Sequence, residues 1–253
     1  MVEGIRGSYH SAGGRKLFFT YSRTTKPSVI FISGMGDSSD AWEKIQTLVS
    51  QKASTLSYDR SGVGRSEAAP PVPRTCLDLV EELSELLLAG FVDPPFLLVG
   101  HSFGGLVARL FASVHPQLVC GLVLVDAATE YKELAYDRVL PPQLKAANRD
   151  YYENPRLNSE NIDKARSYEQ VSGHSGQSDI PLAILTRGLP EQSDGNWPVQ
   201  ELLKIEQRLQ ADFQRLSKAS KLRIAGRSRH YIHVDEPELV VEEIESMIKG
   251  MKR

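Results

Sequence analysis

The sequence predicts an α/β fold: a mainly parallel sheet of about eight strands with helices on both faces. Three observations carry that expectation. Short apolar runs, several rich in β-branched residues and some closed by glycine, recur along the chain. Segments with apolar residues at helical spacing alternate with those runs. The chain has 253 residues, 41% hydrophobic and 25% charged, which is the usual globular mix and a length that one α/β domain fills. The same composition excludes disordered, collagen-like and coiled-coil chains.

The elements follow in order. Residues 16–21 (KLFFTY) read as a strand after the Gly13-Gly14 turn signal. Residues 29–33 (VIFIS), closed by Gly34, suit a strand buried on both faces. Trp42, Ile45, Leu48 and Val49 give residues 40–50 a helical pattern. Residues 55–58 form another short strand, followed by the Gly-rich turn 59–66 (DRSGVGRS). Leu79, Val80, Leu83, Leu86 and Leu87 predict a helix over 76–88. Residues 96–99 are a buried strand ending at Gly100, and 106–114 a helix that stops near Pro116. Residues 122–125, 182–185 and 222–225 supply further strands, and 199–216 and 237–251 further helices.

One segment breaks the alternation. Residues 127–179 hold no strand-like apolar run, carry Tyr131, Tyr136, Tyr151, Tyr152 and Tyr168, and are too long for a plain connection. They are expected to form a small helical cap inserted between two strands. Residues 1–126 and 180–253 would then make the core domain. The tyrosines either line a pocket or pack the cap onto the sheet.

Charge and cysteine content narrow the function classes. Lys and Arg total 30 against 32 Asp and Glu, a formal net charge of −2 with no long basic run. No nucleic-acid footprint is expected from that balance. No apolar run approaches the ~18 residues of a membrane span, and residues 1–9 lack the apolar core of a secretion signal. A cytoplasmic location is the simplest expectation. The two cysteines, Cys76 and Cys120, are too few for a disulfide framework and sit in apolar-patterned segments. His230 and His233 lie three apart without a supporting Cys pair or Glu-x-x-His, so no metal is expected. The turn 59–66 lacks the Gly-Lys-Ser/Thr ending of a phosphate loop, and Asp59 and Arg60 are expected to tie it down. Nothing points to a cofactor.

The sharpest chemical signal is Gly100-His101-Ser102-Phe103-Gly104, a G-x-S-x-G between a predicted strand and a predicted helix. A serine on so sharp a turn needs strained backbone angles, and its neighbours two residues away must be small. The turn lifts the hydroxyl above the sheet edge, at a helix N-terminus that favours negative charge. A serine hydroxyl also needs a base, and histidine is the usual one. His101 lies inside the turn and should point away from the serine face. His115 lies at a helix end before Pro116, while His10 and His174 lack a supporting pattern. His230 and His233 both lie in the loop after the last predicted strand, from which a base can reach Ser102.

Together these segments resemble the α/β-hydrolase fold family over nearly the whole chain. The resemblance rests on Ser33-Gly34-Met35-Gly36, the turn 58–66, the elbow 100–105, and the tail 230–238. In that family the catalytic histidine lies seven residues before a proline such as Pro237, which selects His230. The resemblance also implies an oxyanion hole from the backbone N–H groups of Met35 and Phe103. Two departures stand out. Ser33 replaces the usual His, which matters little where backbone groups do the work. Arg229 replaces a usual Gly, and is expected to narrow or charge the entrance.

The family order is Ser, then Asp or Glu, then His, which leaves Asp126, Glu191 and, more weakly, Asp194 for the acid. Asp126 is preferred because a carboxylate at a strand end is better preorganised than one in the loop with Pro190 and Gly195. A subgroup of the family carries its acid there too. An aspartate at that position can also be merely a cap or loop anchor. The resemblance implies a serine hydrolase acting on small-molecule esters or thioesters through an acyl-enzyme on Ser102. The alternatives are a non-hydrolytic binder or receptor on the same fold and a cofactor-free C–C hydrolase or lyase. Acyl preference and oligomeric state are not legible.

Overall fold

The computed structural model describes residues 4–174, 176, 178–193 and 195–251. Its centre is an eight-stranded sheet. The strands are β1 (Arg6–Ala12), β2 (Arg15–Ser22), β3 (Ser28–Ile32), β4 (Ser54–Tyr58), β5 (Phe96–His101), β6 (Val119–Val125), β7 (Leu182–Arg187) and β8 (Ser220–Ala225). They lie in the order β1-β2-β4-β3-β5-β6-β7-β8. The pairings β1 with β2 and β2 with β4 are antiparallel, and all others are parallel. The α/β architecture is the expected one.

The central strands read as unbroken apolar runs because both faces are covered. Alternate residues feed two separate cores. Ile30, Ile32, Leu98, Leu122 and Leu124 join one core, with side chains from the helices α2 (Cys76–Leu88) and α3 (Phe103–Val114). Val29, Phe31, Leu97, Val99, Val123 and Val125 join the other, with α1 (Glu43–Val49) and the C-terminal helix Pro237–Met251.

Residues 127–179 contain α4 (Lys132–Tyr136), α5 (Pro142–Glu153) and α6 (Lys164–Gly173). Tyr168 and Val171 of α6 are buried in the same core as α2 and α3. Tyr136 of α4 packs with Leu140 and with Leu202 of α7 (Val199–Asp212). A short α8 (Ile232–Asp235) precedes the last helix, α9 (Pro237–Met251).

Three local features differ from the sequence expectations. β1 was not expected. Its residues RGSYHSA are mostly polar, as suits an edge strand that buries little. Gly13 (φ 59°) and Gly14 (φ 69°) close a two-residue hairpin between β1 and β2, which needs φ above zero at both positions. The helix expected from residue 106 begins at Phe103, directly out of the elbow. Gly104 and Gly105 weaken the local helix signal, yet they sit inside it. The stretch 213–216 tightens into a 3₁₀ turn at the end of α7.

The elbow glycines have a packing reason. A Cβ on Gly104 would lie 2.2 Å from the Ile32 carbonyl oxygen, and one on Gly100 2.5 Å from the Gly104 carbonyl oxygen. The start of α3 thus lies against the end of β3, closer than any side chain permits. Gly104→Ala is expected to lower the unfolding free energy by roughly 1–3 kcal/mol, read as a lower urea midpoint at unchanged slope. An unchanged midpoint would mean that β3 and α3 are not in this close contact.

Candidate active site

Ser102 follows β5 with φ 50° and ψ −122°, in a region that L-residues rarely occupy. Three backbone hydrogen bonds hold it there. Its N–H donates to the Val125 carbonyl oxygen (3.2 Å), and its own carbonyl oxygen accepts from Gly105 (3.0 Å) and Ala128 (2.9 Å). The side chain is half-buried at the N-terminus of α3.

Asp126 occupies the matching position after β6. It too has positive φ, 41°, and its N–H donates to the Leu185 carbonyl oxygen at 2.8 Å. The turn aims a buried carboxylate along the strand ends. Oδ1 accepts the Arg187 N–H at 3.2 Å, and Oδ2 lies 2.6 Å from Nδ1 of His230. His230 sits in the loop after β8.

The two acids that compete in the sequence take different parts of this histidine. Asp126 meets the ring. Glu191 accepts the His230 backbone N–H at 3.0 Å and an Arg187 guanidinium N–H at 2.8 Å. Asp194 lies outside the described residues. The His230 carbonyl oxygen accepts a third bond, from Nε2–H of His101 at 3.0 Å. A loop histidine is thereby fixed at its N–H, its carbonyl and its ring. No hydrogen bond joins Ser102 Oγ to His230 Nε2 among the described residues, and unliganded sites often leave that bond long.

The electrostatics favour an ionised Asp126. Burial alone would raise its pKa, but the His230 hydrogen bond and the Arg187 charge, 3.6 Å away, outweigh burial and hold it low. Burial also works against the charge on Arg187. Asp126, Glu206, Tyr136 and Glu191 outweigh that effect, and its pKa is raised. Glu206 lies 3.4 Å from this guanidinium and accepts the Tyr136 hydroxyl. Beside His230 opens a cavity of about 370 Å³, lined by Lys132, Tyr136, Arg187, Trp197 and Tyr231 among others. Tyr168, by contrast, is buried and packs on Tyr152 with ring centroids 5.5 Å apart.

Met35 lies in the loop after β3. The neighbouring N–H groups are occupied: Gly36 donates to Glu160 and Asp37 to the Gly34 carbonyl oxygen. Among the described residues the Met35 N–H meets no acceptor. Phe103 is the first residue of α3, where helix geometry leaves backbone N–H groups without intrahelical partners. Arg229 is exposed, and its backbone N–H donates to Asp235 Oδ2 at 3.0 Å.

Sequence reasoning missed several partners. His101 does not merely turn away: it is buried and ties the elbow to the His230 loop. Its Nδ1 lies 3.7 Å from Asp37, which also accepts from the Tyr231 hydroxyl at 3.4 Å. His233, the rival base, is buried between Trp42 and His101, with ring centroids 4.5 and 4.3 Å away. Among the described residues neither of its ring nitrogens has a hydrogen-bond partner. Burial, reinforced by His101 and His230, drives its pKa down to about 2. The one available signal was its position on the turn before α9, where Ile232 and His233 both face the core.

A profile of the alpha/beta hydrolase fold matches residues 27–178. The chain belongs to the α/β-hydrolase fold family. It is 29% identical over 216 residues to the uncharacterized protein YqjL of Bacillus subtilis, covering 84% of this chain and 80% of that one. Among solved structures, the epoxide hydrolase VrEH1 from Vigna radiata superposes with a TM-score of 0.71 at 14% identity, covering 97% of this chain and 98% of that one. The thioesterase domain from the curacin biosynthetic pathway gives 0.63 at 20% identity, covering 96% and 99%. At such identities these structures share the fold alone. Among the described residues no helix is long and apolar enough to cross a membrane.

The buried neutral His233 carries a pH dependence. The unfolded chain takes up a proton at this residue below its ordinary pKa of 6.5, and the folded chain does not until about 2. Its stabilising contribution is therefore present above 6.5 and is lost as pH falls toward 2. Between pH 7.5 and 5.5 the loss from this one group is on the order of 1 kcal/mol. His233→Phe, which keeps a ring against Trp42, should shrink the wild-type stability loss over that interval by about this amount. Urea denaturation at the two pH values measures it, and equal losses in both proteins would contradict the assignment.

Proposed function

We propose that the protein is a serine hydrolase of small-molecule esters or thioesters. Ser102 Oγ attacks the substrate carbonyl carbon while His230 Nε2 takes its proton. The resulting oxyanion accepts hydrogen bonds from the backbone N–H groups of Met35 and Phe103. Collapse of the tetrahedral centre breaks the bond to the leaving alcohol or thiol, which receives the proton from His230. Water then attacks the acyl-serine, His230 takes its proton, and a second collapse releases the acid and returns the proton to Ser102.

The observation that carries this reading is the 2.6 Å contact between Asp126 Oδ2 and His230 Nδ1, beside a serine at φ 50°. An ionised Asp126 holds a proton on Nδ1 and leaves the Nε2 lone pair free to act as a base. It also stabilises the imidazolium that each proton transfer creates. Glu191, on the backbone of the same residue, orients the loop. Residues 127–179 serve as the cap that shapes the acyl pocket, with Tyr136 facing the cavity beside His230.

The test is turnover of short and medium-chain p-nitrophenyl esters and thioesters, with intact mass after a fluorophosphonate probe. Wild type should turn over and take one adduct. Ser102→Ala should lose both. Asp126→Asn should lower kcat by about 10³–10⁴-fold. Glu191→Gln should lower it by no more than roughly tenfold, the worth of one ordinary hydrogen bond. Turnover that survives in Ser102→Ala would end the role of Ser102 as nucleophile, and a folded wild type with neither turnover nor adduct would end this reading in favour of a binder.

A further inference from the structure

We infer that Arg60 and Glu160 are positioning residues that fix the peptide groups around Met35, so that the Met35 N–H is presented to the tetrahedral centre on Ser102. This inference rests on the serine-hydrolase reading.

One peptide bond sets the direction of the Met35 N–H. The Gly34 carbonyl and the Met35 N–H belong to the same planar unit, in which the two groups of a trans peptide point in opposite directions. Arg60 Nη2 donates to the Gly34 carbonyl oxygen at 2.6 Å. With that oxygen held toward the buried guanidinium, the Met35 N–H faces the other way. The units on either side are held as well. Arg60 Nη1 donates to the Ser33 carbonyl oxygen at 2.7 Å. Glu160 Oε1 accepts the Gly36 N–H at 2.7 Å, which fixes the unit after Met35.

The two side chains also hold each other. Arg60 Nε meets Glu160 Oε2 at 2.7 Å and Nη2 meets Oε1 at 2.9 Å, a fork-to-fork pair. Arg60 is 1% exposed and Glu160 0%. A pair taken so completely out of water is a weak source of stability, because desolvation offsets much of the attraction. Its geometric consequence is specific: a flip of the Gly34–Met35 unit would put a carbonyl where the N–H belongs and leave a buried guanidinium donor unpaired.

The pair joins distant segments. Arg60 comes from the turn after β4, where Asp59 separately anchors the loop by accepting from Ser39 and Arg65. Glu160 comes from the stretch between α5 and α6. A second buried pair, Arg74 with Glu82 at 3.0 Å, lies alongside. Arg74 also donates to the Glu160 carbonyl oxygen at 3.2 Å, while Glu82 accepts from Ser61 and Arg74 and makes no hydrogen bond to the 33–36 loop. Glu82 therefore offers a matched control: a buried, paired carboxylate of the same network without the peptide contact.

The experiment compares Glu160→Gln, Arg60→Lys and Glu82→Gln with wild type. It reads kcat and KM on a p-nitrophenyl ester, thermal stability, and amide hydrogen exchange at Gly36. Glu160→Gln and Arg60→Lys should lower kcat by about 10- to 100-fold, somewhat less than outright loss of an oxyanion donor. KM should stay within roughly threefold, because the contact is made in the transition state. Glu82→Gln should lose thermal stability comparably yet keep kcat within about threefold. Arg60→Lys keeps a cation opposite Glu160 but lacks the fork, so it tests the geometry if Glu160→Gln fails to fold. Equal kcat losses in Glu82→Gln and the two clamp variants would overturn the inference, as would wild-type kcat in either folded clamp variant. Wild type without turnover would instead fail the hydrolase reading. A Gly36 amide exchanging in wild type as fast as an exposed turn amide would fail the clamp itself.

Discussion

The arrangement depends on backbone hydrogen bonds that continue one residue beyond two adjacent strands. Ser102 N–H reaches the Val125 carbonyl oxygen and Asp126 N–H reaches the Leu185 carbonyl oxygen. Each bond pins a residue whose φ is positive, so the chain leaves the sheet abruptly at both points. The serine and the aspartate are therefore set in neighbouring lanes of the sheet, by the same interaction that holds the sheet together. Only the histidine comes from a loop, and three hydrogen bonds compensate for that freedom.

Charge around this frame is arranged so that one cation serves several anions. Arg187 lies within salt-bridge distance of Asp126, Glu191 and Glu206. It thereby connects the carboxylate on the imidazole ring, the carboxylate on the histidine backbone, and the one that accepts from Tyr136 of α4. A buried carboxylate without such a partner would be pushed toward its protonated form. On the other side of the loop, burial lowers the pKa of His101 against the pull of Asp37, and lowers that of His233 with His101 and His230 acting in the same direction.

Much of this was legible in the residues, and the rest was hidden for physical reasons. The central strands announced themselves because burial on both faces makes them apolar at every position. β1 did not, since an edge strand can be RGSYHSA and still pair. The G-x-S-x-G turn was readable because sterics at Gly100 and Gly104 leave few alternatives. The rigid seat of Asp126 at a strand end is a local feature, which sequence describes well. That Glu191 would take the backbone of the same histidine depends on how two loops meet, and no local pattern encodes it. From its own segment Arg60 reads as a loop anchor. Its partner Glu160 stands 100 positions away, and nothing in either segment names the other.

Glu160 has a consequence for how the protein can be re-engineered. Segments inserted over a hydrolase sheet invite exchange between relatives as a route to new specificity, on the assumption that they only roof the site. Here the stretch 127–179 also carries the carboxylate that completes a buried ion pair beneath the loop bearing Met35. A transplanted segment of ideal shape but without that carboxylate would leave the buried Arg60 guanidinium without its paired carboxylate. The segment and the sheet are thus one unit for redesign, joined through Glu160 as well as at the segment's two ends.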